Sequence, residues 1–136
     1  MACLDTSLLI DASGRAGRAR RDRARRAVEH MLAEGEPLST TRFTVAELWV
    51  GVERSEDRAR ELAAIDALLA PLAILDFDDP AARMFGRIVA HMHRSGTPRG
   101  DMDMLIAAVA LTHGERLVTN NVKHFAGIPG LAVETC

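Results

Sequence analysis

The apolar residues of this chain alternate between short continuous runs and helically spaced stripes. Met1-Ala2-Cys3-Leu4 is a run that stops at Asp5-Thr6-Ser7, three residue types that favour helix N-caps, so a strand over 1–4 passes directly into a helix. Ala24, Ala27, Val28, Met31 and Leu32 recur at three-to-four spacing, which predicts an amphipathic helix over roughly 18–34, closed by Gly35 and Pro37. A short strand near 37–40 follows. Thr44-Val45-Ala46-Glu47 has the form of a capping box, and Ala46, Trp49, Val50 and Val52 continue a helical stripe beyond it.

Further along, a helix is expected over 57–70, a strand over 72–75, and a helix that starts at Asp79-Pro80, with Ser95-Gly96-Thr97-Pro98 as a loop. From Asp101 to His113 nearly every position is apolar, which predicts a central buried helix ended by Gly114. Two more strands are read over 116–119 and 131–134. This alternation predicts an α/β fold: a single domain over 1–136 with a mostly parallel sheet of four to five strands, flanked by helices on both faces.

With 136 residues, 48% of them hydrophobic and 26% charged, the chain matches one ordinary domain able to hold a core without disulfides or a structural metal. Its longest apolar run, Met104 to Leu111, falls well short of the ~18 residues of a membrane span, and no basic-then-apolar leader opens it. A cytoplasmic protein with no membrane partner is expected. The only cysteines, Cys3 and Cys136, lack ligand spacing, so they are read as reduced thiols. The net charge of −2 conceals an asymmetry: residues 1–30 carry seven Arg against four acids, and Lys123 is the only lysine. An Arg cluster over 15–26 suits either a phosphate-tracking surface or a solvated helix face.

Three acids stand at the starts of expected helices: Asp5, Glu47 and Asp103. In an open parallel sheet, helices start and ligands collect at the strands' carboxyl ends, so the three can converge there. Converging carboxylates repel one another and call for a hard cation such as Mg²⁺ or Mn²⁺. Each also has a local explanation: Asp5 as an N-cap, Glu47 as the third residue of the capping box, and Asp103 as a first-turn acid favoured by the helix dipole.

Motifs in order along the chain extend this picture. Leu4-Asp5-Thr6-Ser7-Leu8-Leu9-Ile10, Val45-Ala46-Glu47-Leu48 with Gly51 and Arg54-Ser55, Pro98 and Gly100 before Asp103 with Leu105-Ile106-Ala107-Ala108, and Leu117-Val118-Thr119-Asn120-Asn121 together resemble a PIN-domain ribonuclease of the VapC toxin type. The resemblance covers essentially the whole chain. It implies a metal-dependent endoribonuclease in which Asp5, Glu47 and Asp103 hold Mg²⁺ or Mn²⁺, leaving 5′-phosphate and 3′-hydroxyl ends. It also implies a VapB-type antitoxin, a homodimer, and operator DNA bound only through the antitoxin.

The chain departs from the family pattern where a fourth acid commonly stands: Asn121 occupies that position, and Asp101 offers an acid two residues before Asp103. Asp101 is therefore carried as a candidate catalytic acid or as the helix N-cap. Thr6, Ser7, Thr119 and Asn121 are candidates for orienting carboxylates or substrate. Arg42, Arg94 and Arg99 are candidate rim contacts, Trp49 and Phe43 are expected in the core or a dimer interface, and the five histidines receive no catalytic task. A non-catalytic RNA-binding or scaffold module on the same fold is the alternative. A receiver-type phosphoacceptor using Asp5, Asp76 and Thr119 would leave Glu47 and Asp103 without a task.

Overall fold

The computed structural model describes residues 1–136. Strand β1 (Ala2–Leu4) enters α1 (Thr6–Ser13) directly, and α2 (Arg18–Ala33) packs against α1 before the chain reaches β2 (Leu38–Thr41). There follow α3 (Arg42–Arg54), α4 (Arg58–Leu69), β3 (Ala73–Leu75), α5 (Asp79–Arg94), α6 (Asp101–Thr112), β4 (Arg116–Val118), α7 (Val122–Phe125) and β5 (Val133–Glu134). The strands form one sheet in the order β3-β2-β1-β4-β5, and every pairing is parallel.

Strand alternation divides the core between the two faces of the sheet. Ala2 and Leu4 of β1 and Val118 of β4 pack with Leu8, Leu48 and Ile65 from α1, α3 and α4. Cys3 and Leu117 point the other way, to Ile88, Met104 and Phe125 from α5, α6 and α7. Full burial of each Leu or Ile contributes about 1.5–3 kcal/mol, so both layers are needed to hold such short strands. Burial pushes the Cys3 thiol up to about 12, with the Glu115 charge adding to the effect. Glu115 itself is buried and accepts a hydrogen bond from Ser39 Oγ.

The Arg-rich start of α2 is only partly a solvated face. Gly14 ends α1 at φ 95, a left-handed conformation that costs glycine little, and turns the chain back over α1. Arg25 Nε then donates to Ala12 O at 2.9 Å, and Arg15 lies 3.8 Å from Glu61 of α4. A Cβ at Gly51 would collide with the Arg15 guanidinium, so α3 presents its bare backbone to that side chain.

Most expected elements are present, within a residue or two of their expected bounds. The helix expected from Thr44 begins earlier, β5 spans two residues rather than four, and α7 was not anticipated. No helix is long and apolar enough to cross a membrane.

Candidate active site

The sheet order reverses at β1: the chain first builds outward through β2 and β3, then returns to add β4 and β5 on the other side. Such a reversal opens a crevice at the carboxyl ends of the two diverging strands. Asp5 follows β1 and Thr119 follows β4, so the topology brings together residues far apart in sequence.

Asp5 is 4% exposed and sits at the N-cap position of α1, yet its side chain makes no capping bond. Its Oδ2 accepts instead from Thr119 Oγ1 at 2.8 Å and Ser7 Oγ at 3.0 Å. Those hydroxyls are held in turn: the Asn121 N–H donates to Thr119 Oγ1 at 2.9 Å, and the Asn120 N–H donates to Ser7 Oγ at 3.1 Å. The carboxylate is oriented across the sheet rather than used as a cap.

Glu47 does not belong to a capping box. Helix α3 starts at Arg42 with Thr41 as its N-cap, whose side chain accepts from the Thr44 N–H at 3.1 Å. Glu47 therefore lies in the second turn, where Thr6 Oγ1 donates to its Oε1 at 2.8 Å. Burial pushes the Glu47 carboxyl above its ordinary range, the Asp5 and Asp103 charges add to the rise, and the Thr6 hydrogen bond opposes it.

Asp103 stands in the first turn of α6, half-buried, with His124 Nδ1 3.3 Å from its Oδ2. Burial raises its carboxyl, and so does the Asp5 charge, while His124 pulls it down. Gly100, not Asp101, is the N-cap of α6. Asp101 is exposed at the first helical position and makes no side-chain hydrogen bond or ion pair with the three converging acids. Asn121 is also exposed, and its contribution to the network comes through its backbone N–H.

Other candidates separate in the same way. Arg42 pairs with Asp76 at 2.9 Å, an exposed contact beyond the end of edge strand β3. Asp76 is thus remote from β1 and Thr119, which removes the phosphoacceptor arrangement. Arg99 is held by the carbonyls of Thr97 and Ala126, and Arg94 is exposed. Phe43 stacks edge-on against Phe77 with centroids 5.3 Å apart, whereas Trp49 is 42% exposed and lies outside the core. His124 had no sequence signal, because its partner Asp103 is brought to it by packing of α6 against α7.

Glu47 and Asp103, whose ionised forms burial and neighbouring charge disfavour, together with the oriented Asp5 carboxylate are oxygen donors of the kind a hard divalent cation takes, and such an ion would relieve those penalties. No three acidic, histidine or cysteine side chains close on one point in this arrangement. The structure thus defines an α/β domain with a carboxylate centre at its topological switch point.

Comparison with known proteins gives the family of this fold. The PIN domain profile matches residues 2–131, and the chain belongs to the PIN domain family. It is 41% identical over 92 residues to the tRNA(fMet)-specific endonuclease VapC of Salmonella typhimurium, covering 68% of this chain and 70% of that one. It is 30% identical over 135 residues to ribonuclease VapC19 of Mycobacterium tuberculosis, covering 96% and 97%. Among solved structures, DNA-bound VapBC from Salmonella typhimurium superimposes with a TM-score of 0.82 at 33% identity, covering 98% of this chain and 96% of that one. VapBC2 from Rickettsia felis, bound to a DNA fragment from its promoter, gives 0.85 at 27% identity, covering 99% and 98%.

Proposed function

We propose that the protein is a Mg²⁺- or Mn²⁺-dependent endoribonuclease toxin that acts in the cytoplasm and is neutralised by a VapB-type antitoxin. The observation that carries the reading is the placement of three acids at the carboxyl end of the sheet, with Asp5 held by Thr119 and Ser7, Glu47 held by Thr6 and Asp103 in the first turn of α6, an arrangement in which the Asp5 charge raises the other two carboxyls. The ribonuclease names of its VapC relatives support the same chemistry.

In this reading Asp5, Glu47 and Asp103 hold the ion. When bound, it supplies Lewis acidity toward a phosphodiester and lowers the pKa of water beside it. The chain's own residues prepare the site. Thr119 and Ser7 fix the Asp5 carboxylate, and Thr6 favours the ionised form of Glu47 by donating to it. Asp101 and Asn121, exposed at the rim, remain candidates for a supporting role.

Antitoxin binding and promoter DNA enter by analogy with the DNA-bound VapBC complexes, and in this reading the DNA is reached only through the antitoxin. A homodimer is proposed through α3, whose Trp49 and Val50 are exposed.

The test is cleavage of a mixed-sequence fluorogenic RNA by antitoxin-free protein with Mg²⁺, Mn²⁺ or chelator, alongside Asp5→Asn and Asp103→Asn. Metal-dependent cleavage lost in both variants is the expected result. Absence of both cleavage and calorimetric metal binding would instead establish a non-catalytic module.

A further inference from the structure

Two recesses flank the three acids. One, of about 530 Å³, is bordered by Ser7, Asn120 and Asn121 from the network that holds Asp5 and by Arg20 and Arg23 of α2, with Asp11, bonded to the Asn120 amide, the one acidic side chain in its lining. The other, of about 410 Å³, is lined by Asp103 with Arg99, Lys123 and His124, and by Pro98 and Gly100. Helix α7 and the turn before it form the ridge between them: residues 120 and 121 face one recess, 123 and 124 the other, and buried Phe125 pins the ridge to the core.

The cations of these recesses are uncommitted. Arg15, Arg21, Arg42, Arg58, Arg83 and Arg116 all pair with carboxylates, but Arg20, Arg23, Arg99 and Lys123 pair with none. Arg99 is nevertheless fixed by two carbonyls, with its Nε buried and without a partner. The Asn121 side-chain amide also lacks a protein partner, whereas that of Asn120 is engaged by Asp11 and Cys136.

Acids repel a polyanion, so a strand presenting one phosphate to them needs positive charge at its neighbouring phosphates. We propose that single-stranded RNA crosses the α7 ridge, with one flanking phosphate held by Arg20 and Arg23 and another, on the far side, by Lys123 and Arg99. The Asn121 amide meets a base edge between them. This track rests on the ribonuclease reading above. A single strand suits two recesses separated by a ridge because its bases can splay to either side.

The track is tested by anisotropy of a short, labelled, mixed-sequence single-stranded RNA in EDTA across a KCl series. Wild type is compared with Arg20→Ala/Arg23→Ala, Lys123→Ala and a remote control, Arg58→Ala/Arg83→Ala. Each track variant is expected to weaken binding by about tenfold and to reduce the log–log salt slope by about 0.7 per lost phosphate contact, with the control unchanged. Arg20→Lys/Arg23→Lys should restore most of the affinity, separating lost charge from misfolding. RNA should also slow alkylation of Cys136, which lines the first recess, in wild type but not in the Arg20/Arg23 alanine variant.

Wild-type affinity in either alanine variant, no RNA binding by wild type, or equal competition by a polyglutamate peptide would overturn the track. If wild type cleaves RNA while the variants bind normally, the track fails and the ribonuclease reading stands. If binding follows the track but no metal supports cleavage, the track stands and the ribonuclease reading fails.

Discussion

Thr119 Oγ1 donates to Asp5 Oδ2 at 2.8 Å, joining the carboxyl ends of β4 and β1 through a single hydroxyl. The bond is buried, so Thr119→Val leaves a carboxylate oxygen short of a donor and costs about 1–3 kcal/mol in urea unfolding. Because Asp5 also loses its fixed orientation, RNA cleavage is expected to fall by roughly 10–100-fold. Thr119→Ser keeps the hydroxyl and should retain most of the activity. Equal losses in both variants would show that the methyl packing matters, not the hydrogen bond.

Glu47 and Asp103 make metal-free stability depend on pH with a definite sign. Burial raises both carboxyls above their unfolded values, so the folded state holds protons that the unfolded state has released. Stability is then greatest below the ordinary carboxylate range and declines as pH rises through the raised folded values. Urea unfolding in chelator should show this decline, and Glu47→Gln should flatten it. Adding Mg²⁺ or Mn²⁺ should restore stability at neutral pH, where the acids are ionised.

The two thiols should behave differently. Cys3 is fully buried with its thiol pushed up to about 12, while Cys136 is exposed. Native protein is expected to take up one equivalent of a maleimide, and denatured protein two. Fast labelling of both cysteines without denaturant would mean that β1 opens readily.

Trp49 and Val50 leave a patch of α3 uncovered, with Val50 53% exposed. If this patch closes the proposed dimer, Trp49→Glu/Val50→Glu yields a monomer by sedimentation while the circular dichroism spectrum stays unchanged. A dimer that survives both charges would place the interface elsewhere.

The parallel sheet was legible because strand runs and helical stripes are local signals. The three acids stood out by their places near expected helix starts and by the ordered motifs, although neither Asp5 nor Glu47 acts as the cap its place suggested. The helix start near Thr44 was not legible. Thr41 and Thr44 are both good capping residues, and only the structure shows that Thr41 accepts the bond while Thr44 lies inside the helix. That displacement also removes the capping explanation for Glu47. Helix α7 escaped notice because four residues cannot display a period, and with it went the pairing of His124 with Asp103. The Arg cluster was visible as charge, but which of its members are bound within the protein depends on packing: Arg15 and Arg25 turn inward, while Arg20 and Arg23 border a recess.

The adjacency of β1 and β4 also bears on synthesis. Pairing between distant segments forms late, after the chain containing both has been made. As the protein leaves the ribosome, Asp5, Glu47 and even Asp103 emerge before Thr119, so the hydroxyl that orients Asp5 is missing until β4 and the residue after it have been made. The carboxylate site thus takes its final shape only once the segment that carries β4 and Thr119 is free to fold.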